Sequence, residues 1–320
     1  MRALICGVGG QDGAYLARCL LSKEYDVFGT SRDALGSKFQ NLEELGIAQE
    51  VNLLSMDVTD FRSVLYSVEK VMPNEIYNLA GQTSVGLSYE QPVEAMESIG
   101  MGALNLLEVV RFVDPSIRYY NASSSDCFGD IGGIAANEKT PFSPRSPYGV
   151  AKASAHFMVQ NYREAYGLFT CSGILFNHES PLRPKRFVTQ KIVSAAARIH
   201  AGGDERLELG RLSIERDWGW APDYVDAMWR MLQQEQPEDF VVATGKSITL
   251  EKFVEKVFAF FAMDWRDHVD ISEALFRPSD IATSRGDPSK AMRALNWAPT
   301  RDVDGVIESM CMAAKKRFGS

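Results

Sequence analysis

The 320-residue sequence has few of the residues that build disulfide frameworks or zinc sites. Its five cysteines are odd in number and scattered, with no CxxC spacing, and its four histidines form no ligand-spaced pair. This pattern is typical of reduced thiols in a cytosolic enzyme rather than of a secreted, disulfide-bonded domain or a zinc protein. We therefore expect a cytoplasmic protein without a metal site.

The sequence also lacks a long apolar run and an excess of positive charge. No apolar stretch approaches the ~20 residues of a membrane span, and the N-terminus shows no basic, cleavable leader. The formal net charge is -8, whereas phosphate backbones reward clustered Lys and Arg. We expect no membrane and no nucleic acid as partner, although local arginines and helix N-termini suit an anionic nucleotide.

What the sequence does contain is a regular alternation of strand and helix patterns. Hydrophobic residues make up 45% and charged residues 24% of the chain, which is typical of a globular protein with a substantial core. Repeated strand–helix units predict an α/β Rossmann fold, a doubly wound parallel sheet covered on both faces. The predicted strands are 3–6, 26–29, 51–56, 75–79, 118–121 and 170–176, and the predicted helices are 13–22, 61–71, 93–111 and 148–166.

The alternation loosens after about residue 178, where arginines, tryptophans and loops become frequent. This change predicts a smaller, partly discontinuous C-terminal domain that binds substrate and closes over the ends of the strands. We assign residues 1–177, with parts of about 218–258, to the dinucleotide-binding domain. Residues 178–217 and 259–320 then form the substrate-binding domain.

A glycine-rich turn follows the first predicted strand. Gly7, Gly10 and Gly13 form a GxxGxxG pattern between that strand and an amphipathic helix. Glycines permit a tight turn and close approach of the backbone to a pyrophosphate, whose charge rests at the helix N-terminus. The pattern predicts dinucleotide binding, with Gln11 and Asp12 contributing. For Asp12, a helix cap without cofactor contact is the alternative.

The end of the second strand favours NADP over NAD. NAD usually leaves an acidic residue there to hold the ribose hydroxyls, whereas this strand ends in Ser31 and Arg32, which suit a ribose phosphate. The alternative is a solvent-facing charged loop, and Asp33, one place further, weakens the case for NADP. Further cofactor contacts are expected after the third and fourth strands, from Asp57, Val58, Leu79 and Ala80.

A tyrosine and a lysine in the middle of the chain carry a candidate redox site. Tyr148 and Lys152 stand at i and i+4 on one face of a predicted helix. A neighbouring cation favours phenolate, so we expect a lowered pKa for Tyr148 and a base that takes a proton from a sugar hydroxyl. Ser124, after the preceding strand, is the hydroxyl expected beside Tyr148. Asp126 offers a carboxylate on the same side of a turn, or only caps that turn.

Several runs of the sequence identify a family. They include GGQDG at 9–13, PFSPRSPY at 141–148, NHESP at 177–181 and RDWG at 216–219. Over nearly its whole length the chain resembles the GDP-mannose 4,6-dehydratases, within the extended short-chain dehydrogenase superfamily. That family oxidises the C4 hydroxyl of the hexose, eliminates water across C5 and C6, and returns the hydride to C6.

The resemblance implies roles for individual residues. Tyr148 and Lys152 would perform the redox step, with Ser124 where the family has threonine and Asp126 where it has glutamate. The implied substrate contacts are Asn177, Lys191, Arg216, Arg277 and Asp280. A salt bridge between Arg216 and Asp217 is the alternative for that arginine.

The superfamily also implies a homodimer or homotetramer. Its dimers pack two helices from each subunit across a two-fold axis, a common form of self-association. Here those helices are 93–111 and the one that begins at Tyr148. Their predicted apolar face is formed by Val109, Val110, Phe157 and Val159.

The departures from the family leave alternatives open. The carboxylate of Asp126 is one methylene shorter than glutamate, and a displacement of about 1 Å can cost on the order of 10²-fold in rate. Pro184, Gln190 and Arg211 also differ from the family's residues. A different sugar such as a GDP-heptose, an epimerase or reductase that does not eliminate water, and an impaired nucleotide-binding regulatory subunit are the competing hypotheses.

Overall fold

The computed structural model describes residues 1–276 and 279–319 of the chain. In these ranges the strands are β1 (Arg2–Cys6), β2 (Asp26–Ser31), β3 (Asn52–Ser55), β4 (Glu75–Asn78), β5 (Arg118–Ser124), β6 (Thr170–Leu175), β7 (Asn177–Glu179), β8 (Leu207–Leu209), β9 (Glu215–Arg216), β10 (Trp218–Trp220), β11 (Phe240–Val242), β12 (Ile248–Thr249), β13 (Val269–Ile271) and β14 (Thr283–Ser284). The helices are α1 (Gln11–Leu21), α2 (Gln40–Glu44), α3 (Phe61–Val71), α4 (Val85–Glu90), α5 (Pro92–Ala95), α6 (Gly102–Val113), α7 (Pro147–Tyr166), α8 (Val188–His200), α9 (Ala221–Leu232), α10 (Leu250–Phe260), α11 (Ser289–Ala294) and α12 (Val303–Phe318).

A seven-stranded sheet forms the centre of the molecule. Its order is β11-β6-β5-β4-β1-β2-β3, and every pair of neighbours in it is parallel. The chain reverses direction of travel between β1 and β4, which is where open α/β sheets bind ligands, outside the carboxyl ends of the strands. The predicted doubly wound Rossmann fold is confirmed.

One predicted helix differs from the structure. The segment 93–111 is divided into α5, a π-helical stretch at Met96–Met101, and α6. Glycines allow close packing along this stretch, since a Cβ on Gly102 would lie 3.0 Å from Val58 and one on Gly100 would lie 2.9 Å from Met96. A hydrophobic periodicity alone does not distinguish a π turn from an α turn.

Helices cover both faces of the large sheet. On one face α1 and α9 pack against each other and against buried side chains that include Tyr77 and Tyr120. On the other face α3, α6 and α7 enclose a core that includes Leu4 and Tyr119. The helices therefore cover the two faces of the sheet, and the ends of the strands remain available for a site.

A second core lies beside the large sheet. It is built from α8, α10 and α12 with the paired strands β8 and β13, and includes Phe253, Val257 and Met310. By contrast, α9 and β11 belong to the large sheet. The predicted division of the chain into domains stays a prediction, and this packing groups α10 with the smaller body.

Helices α6 and α7 also bear on the predicted dimer. The assignment of Val109, Val110 and Val159 to an intersubunit face is wrong, because all three are fully buried within the subunit, on the sides of their helices that face the sheet. Phe157 is 55% exposed, as predicted for an interface residue. Other exposed apolar residues on or beside these helices are Met101, Phe112 and Val150. The oligomer stays a prediction. We now expect its apolar face to be formed by the exposed residues Met101, Phe112, Val150 and Phe157.

Neither a membrane-spanning helix nor a metal-binding cluster occurs in residues 1–276 and 279–319. None of the helices in these ranges has the length and apolar character needed to cross a lipid bilayer. The same residues contain no group of three or more His, Cys, Asp or Glu side chains arranged to hold a metal ion.

Candidate active site

A cleft lies at the carboxyl ends of β4, β5 and β6, between the large sheet and the second core. It collects side chains from both bodies, including α1, the start of α7, and β7 and β9. The predicted site residues that line it are Asp12, Leu79, Ser124, Asp126, Tyr148, Lys152, Asn177 and Arg216. The fold therefore brings together residues that the sequence separates by up to two hundred positions.

The glycine-rich turn has the shape that a dinucleotide requires. Gly7 adopts a left-handed φ of +85°, and a Cβ there would lie 3.0 Å from the Leu79 carbonyl oxygen. A Cβ on Gly13 would lie only 2.5 Å from the Gly7 carbonyl oxygen. Gly10 begins α1 without a side-chain cap, so the first-turn amides remain available. Uncapped helix amides beside bare backbone fit a pyrophosphate.

The two polar residues of the turn bind the segment that contains His178 and Ser180, and Asp12 also lines the cleft. Gln11 is buried; its Nε2 donates to the His178 carbonyl oxygen (3.2 Å), and the Ser180 hydroxyl donates to its Oε1 (2.7 Å). Asp12 accepts a hydrogen bond from Gln11 (3.0 Å) and lies 2.9 Å from His178 Nε2. The N-cap of α1 is Gly10, so Asp12 is not that cap. Because the side chain of Gln11 is bonded within the protein, its predicted contact with the cofactor would be made by its backbone.

The ends of β2 and β3 carry the residues predicted for the adenosine end. The Ser31 hydroxyl donates to the Asp33 carbonyl oxygen (3.1 Å), and Arg32 is exposed. The Asp33 carboxylate accepts from the amides of Leu35 (3.1 Å) and Gly36 (2.9 Å). This carboxylate caps its own turn, which weakens the argument that it selects NAD.

The remaining predicted cofactor residues follow β3 and β4. Asp57 accepts from the amide and hydroxyl of Thr59, and the Val58 carbonyl oxygen accepts from Asn105. Leu79 donates its amide to the Cys6 carbonyl oxygen (3.0 Å), which extends the pairing of β4 with β1. All these positions lie along the carboxyl edge of the sheet, and their cofactor contacts stay predictions.

The first turns of α7 carry the candidate redox pair. The Ser146 hydroxyl caps this helix by accepting from the Gly149 amide (3.0 Å), and Pro147 occupies its first turn. Lys152 donates from Nζ to the Ala122 carbonyl oxygen (2.7 Å), and the same nitrogen lies 5.8 Å from the centroid of the Tyr148 ring. The carbonyl thus holds the ammonium beside the phenol.

The electrostatics of this pair differ from the expectation. Burial, followed by the charge of Asp126, raises the pKa of Tyr148, although a hydrogen bond with Ser124 opposes the rise. Burial also lowers the pKa of Lys152 to about 8. The predicted lowering of the tyrosine pKa is therefore wrong for the chain's own groups, because burial of the phenolate outweighs the interactions that lower the pKa.

Ser124 and Asp126 form a compact unit at the end of β5. The Ser124 hydroxyl donates to Asp126 Oδ2 (3.2 Å) and accepts from the Asp126 amide (3.2 Å), which caps the short turn Ser125–Cys127. A Cβ on Gly149 would lie 2.9 Å from the Asp126 carbonyl oxygen. The backbone that carries the carboxylate is therefore pressed against α7, next to Tyr148.

Two of the predicted substrate residues line the cleft. Asn177 belongs to β7 and Arg216 to β9, where Arg216 Nη1 donates to the Glu215 carbonyl oxygen (2.8 Å). The Asp217 carboxylate accepts from the amides of Thr244 (3.0 Å) and Gly245 (2.8 Å). This engagement of Asp217 argues against the alternative in which its main role is to bind Arg216.

The other predicted substrate residues are placed differently. Lys191 is exposed on α8 and donates to the Glu208 carbonyl oxygen (2.7 Å), outside the cleft lining. Asp280 is half-buried beside Ile281, which does line the cleft. Arg277 lies outside the described residues. The substrate contacts of all three stay predictions.

The cleft also contains residues to which the sequence gave no role. Arg183 lies 3.2 Å from the buried carboxylate of Glu179 and stacks on Phe187, with 3.7 Å from its guanidinium carbon to the ring centroid. Arg186 Nη2 donates to the Thr83 hydroxyl (2.9 Å) and so joins two sides of the cleft. These residues come from loops without periodicity, and the only sequence signal was their proximity to the NHESP run.

Comparison with known proteins agrees with the fold and the motifs. The family model described as GDP-mannose 4,6 dehydratase matches residues 4–310. "GDP-mannose 4,6 dehydratase 2" of Arabidopsis thaliana is 44% identical over 318 residues, which cover 96% of this chain and 85% of that protein. The human "GDP-mannose 4,6 dehydratase" is 40% identical and the match covers 97% of this chain and 90% of that protein.

Solved structures share the fold at lower identity. DesIV, a dTDP-glucose 4,6-dehydratase from Streptomyces venezuelae with NAD and TYD bound, superposes with a TM-score of 0.89 at 20% identity, covering 100% of this chain and 98% of that one. The Thermus thermophilus UDP-glucose 4-epimerase in complex with NAD gives 0.86 at 24% identity, covering 100% of both chains. The family match over most of the sequence, together with these folds, shows that the chain belongs to the GDP-mannose 4,6-dehydratase family.

Proposed function

We propose that the protein is a GDP-mannose 4,6-dehydratase, a lyase that converts GDP-mannose to GDP-4-keto-6-deoxymannose. The observation that carries this proposal is one cleft containing Ser124, Asp126, Tyr148 and Lys152 beside a glycine-rich turn. A redox pair and a separate carboxylate are what an oxidation followed by an elimination requires. Family membership makes this reaction a better match than any other with these groups.

The cofactor in this proposal is NADP. The glycine-rich turn fits the pyrophosphate, and Ser31 and Arg32 offer a hydroxyl and an exposed guanidinium for a ribose phosphate. Asp33, which would favour NAD, already caps its own turn. A nicotinamide dinucleotide held at the glycine-rich turn would supply the redox chemistry, as the acceptor of a hydride from C4 and its donor to C6.

Tyr148 acts as the base in the first step. Its phenolate, which the charges of Lys152 and of a bound nicotinamide would favour against the effect of burial, takes the proton of the C4 hydroxyl as the C4–H bond breaks, which leaves a ketone at C4. Lys152, fixed by the Ala122 carbonyl oxygen, stabilises the negative oxygen. Ser124, which lines the cleft with Tyr148, holds the reacting alcohol through a hydrogen bond. Tyr148 and Lys152 are buried, which limits their contact with water.

Asp126 performs the elimination. The ketone at C4 acidifies the proton at C5, and the Asp126 carboxylate removes it and delivers a proton to the departing C6 hydroxyl. The C5–C6 double bond forms as the C6–O bond breaks, and water leaves. The Asp126 backbone packs closely on Gly149 of α7, and we expect this packing to offset the shorter side chain of aspartate.

The nucleotide end of the substrate lies toward β7 and β9 in this proposal. Arg216, with its bidentate guanidinium, contacts the pyrophosphate, and Asn177 contacts the nucleotide sugar. Lys191, Arg277 and Asp280 complete the contacts if the second core closes on the substrate. A homodimer built on α6 and α7, or a homotetramer, is the assembly we propose.

A panel of GDP-sugars tests the function. Purified protein is incubated with GDP-mannose, GDP-heptose and other GDP-hexoses, and mass spectrometry follows loss of one water from each. We expect loss of water from GDP-mannose. Loss of water from GDP-heptose alone would show that the substrate is the heptose and not mannose. Conversion at constant mass would favour an epimerase, and no conversion of any sugar would favour a regulatory subunit.

A further inference from the structure

The glycine-rich turn carries a negative charge where a pyrophosphate would approach. Asp12 stands in the first turn of α1 and lines the cleft. A helix N-terminus attracts anions, but a carboxylate in that first turn repels them. For the turn to bind a dinucleotide, a nearby group must offset the charge of Asp12.

His178 is placed to provide that charge. Its Nε2 lies 2.9 Å from Asp12 Oδ2, and its Nδ1 lies 2.7 Å from the Phe176 carbonyl oxygen. Gln11 Nε2 donates to the other oxygen of Asp12, as expected for an ionised carboxylate. The Phe176 carbonyl oxygen is an acceptor and the Asp12 carboxylate is a second one, so a ring that donates from both nitrogens satisfies both contacts, and we take His178 to be an imidazolium.

The surroundings of this pair agree with the assignment. Burial disfavours the charge of both groups, yet their mutual attraction raises the pKa of His178 and lowers the pKa of Asp12 to about 2. The ring stacks on Tyr224 of α9, with centroids 4.4 Å apart and planes at 24°. Gln11 also binds the His178 carbonyl oxygen, so two contacts fasten β7 to the turn.

Other charged groups act on the same pair and set its balance. Arg183 favours the carboxylate of Asp12 and opposes the charge of His178. Lys152 also interacts with Asp12, and Glu179 lies next to His178 in the chain and interacts with it. Glu179 is already matched by Arg183 at 3.2 Å. His178 is therefore the cation in direct contact with Asp12.

We propose that the His178 imidazolium is the counter-charge that lets the glycine-rich turn accept the pyrophosphate of the dinucleotide, by neutralising Asp12. This inference rests on the proposed dinucleotide-dependent function. His178 acts through Asp12 and the turn, so it is a positioning residue. Without its charge, the Asp12 carboxylate faces the incoming anion and weakens its binding.

Titration with NADPH, followed by fluorescence, tests the proposal. His178→Gln retains a donor but loses the charge, and should weaken NADPH binding by about tenfold or more, within the usual range of coupling between charges. The loss should shrink at high salt, which screens the repulsion. Asp12→Asn combined with His178→Gln removes both charges and should restore affinity to within about threefold of the wild type. His200→Gln, on the exposed end of α8, is the matched control.

The pH dependence gives a second measurement. His178 has a raised pKa, so its charge is present at low pH and is lost as pH rises through that pKa. NADPH affinity of the wild type should fall over this rise, and that of the double variant should fall less. Lys152, with a pKa of about 8 that the charge of Asp12 raises, also titrates in both proteins. Asp12→Asn alone changes Lys152 in the same way but retains the ring of His178, so its difference from the double variant reports His178.

Each outcome separates the inference from the proposed function. A purely structural His178 would lower the unfolding temperature of His178→Gln but leave its NADPH affinity unchanged, which would overturn the inference. A double variant as weak as the single variant would also overturn it. If His178→Gln does not fold, the double variant and the wild-type pH curve carry the test. A wild type that binds neither NADPH nor NADH would overturn the proposed function as well.

Discussion

Asp126 is where the elimination step can be tested most directly. Asp126→Asn removes the charge and the base while retaining an acceptor for the Ser124 hydroxyl, now 3.2 Å from the carboxylate. General acid–base groups contribute about 10²–10⁴-fold to a rate, so loss of water from GDP-mannose should fall by that factor. Reversible C4 oxidation should remain, visible as transient NADPH absorbance when substrate is added.

A second expectation for Asp126→Asn concerns the pKa of Tyr148. The Asp126 carboxylate is the largest cause, after burial, of the raised pKa of Tyr148. Removing a negative charge favours phenolate, so the pKa of Tyr148 should fall. The acid limb of C4 oxidation should then move to lower pH in Asp126→Asn. In Asp126→Asn, the rate of elimination should therefore fall, while C4 oxidation should become faster at low pH.

Asp126→Glu measures the distance to C5. It adds one carbon–carbon bond, about 1.5 Å, and a displacement of about 1 Å is worth on the order of 10²-fold. We expect activity to be preserved or raised, since the family has glutamate at this position. Asp130→Asn, on an exposed residue of the same loop, is the control for the charge removed in Asp126→Asn and should have no effect.

Mass spectrometry with GDP-mannose, beside stopped-flow absorbance, separates the outcomes. If Asp126→Asn releases water at the native rate, another base performs the elimination and the mechanism is wrong. If neither Asp126 variant changes turnover, the protein is an epimerase or reductase in which Tyr148 carries the chemistry.

Three further predictions concern the redox pair, the cofactor and the assembly. Tyr148→Phe should abolish C4 oxidation and leave GDP-mannose binding nearly intact by calorimetry; near-normal turnover would assign the base to another group. Denatured protein should release NADP, and Arg32→Ala should weaken NADPH by about tenfold relative to NADH, since a guanidinium–phosphate contact is worth on the order of 1.5–3 kcal/mol; release of NAD alone would contradict this. Light scattering should show a dimer or tetramer that Phe157→Asp dissociates, because the substitution places a charge in the apolar face; a wild-type mass of only 35.6 kDa would exclude the assembly.

The sequence predicted those parts of the molecule whose signals are local. The alternation of strands and helices determined the Rossmann sheet, and the i, i+4 spacing placed Tyr148 beside Lys152 before any tertiary contact was known. Ser124 and Asp126 follow β5 by the same local logic, since parallel strands end at one edge of the sheet. The glycine turn could be predicted for the same reason.

The parts that the sequence did not predict depend on long-range packing. His178 meets Asp12 across 166 positions, and Arg186 meets Thr83 across 103, and no periodicity reports either contact. The pKa of Tyr148 was predicted in the wrong direction because burial is invisible in a motif. The prediction that Val109, Val110 and Val159 face a partner subunit was wrong for a related reason. An apolar residue on a helix can pack equally well against the sheet or against another subunit.

The residues that depart from the family's sequence lie in different parts of the structure, and only some of them are near the cleft. Gln190 is buried in α8 and donates to Ser194 (3.4 Å), and Arg211 stacks on Phe276, so both serve packing near the second core. Asp126, by contrast, lines the cleft. Arg186, two residues after the departure at Pro184, also lines the cleft and reaches Thr83. We therefore expect Asp126, rather than Gln190 or Arg211, to bear most directly on the choice of sugar.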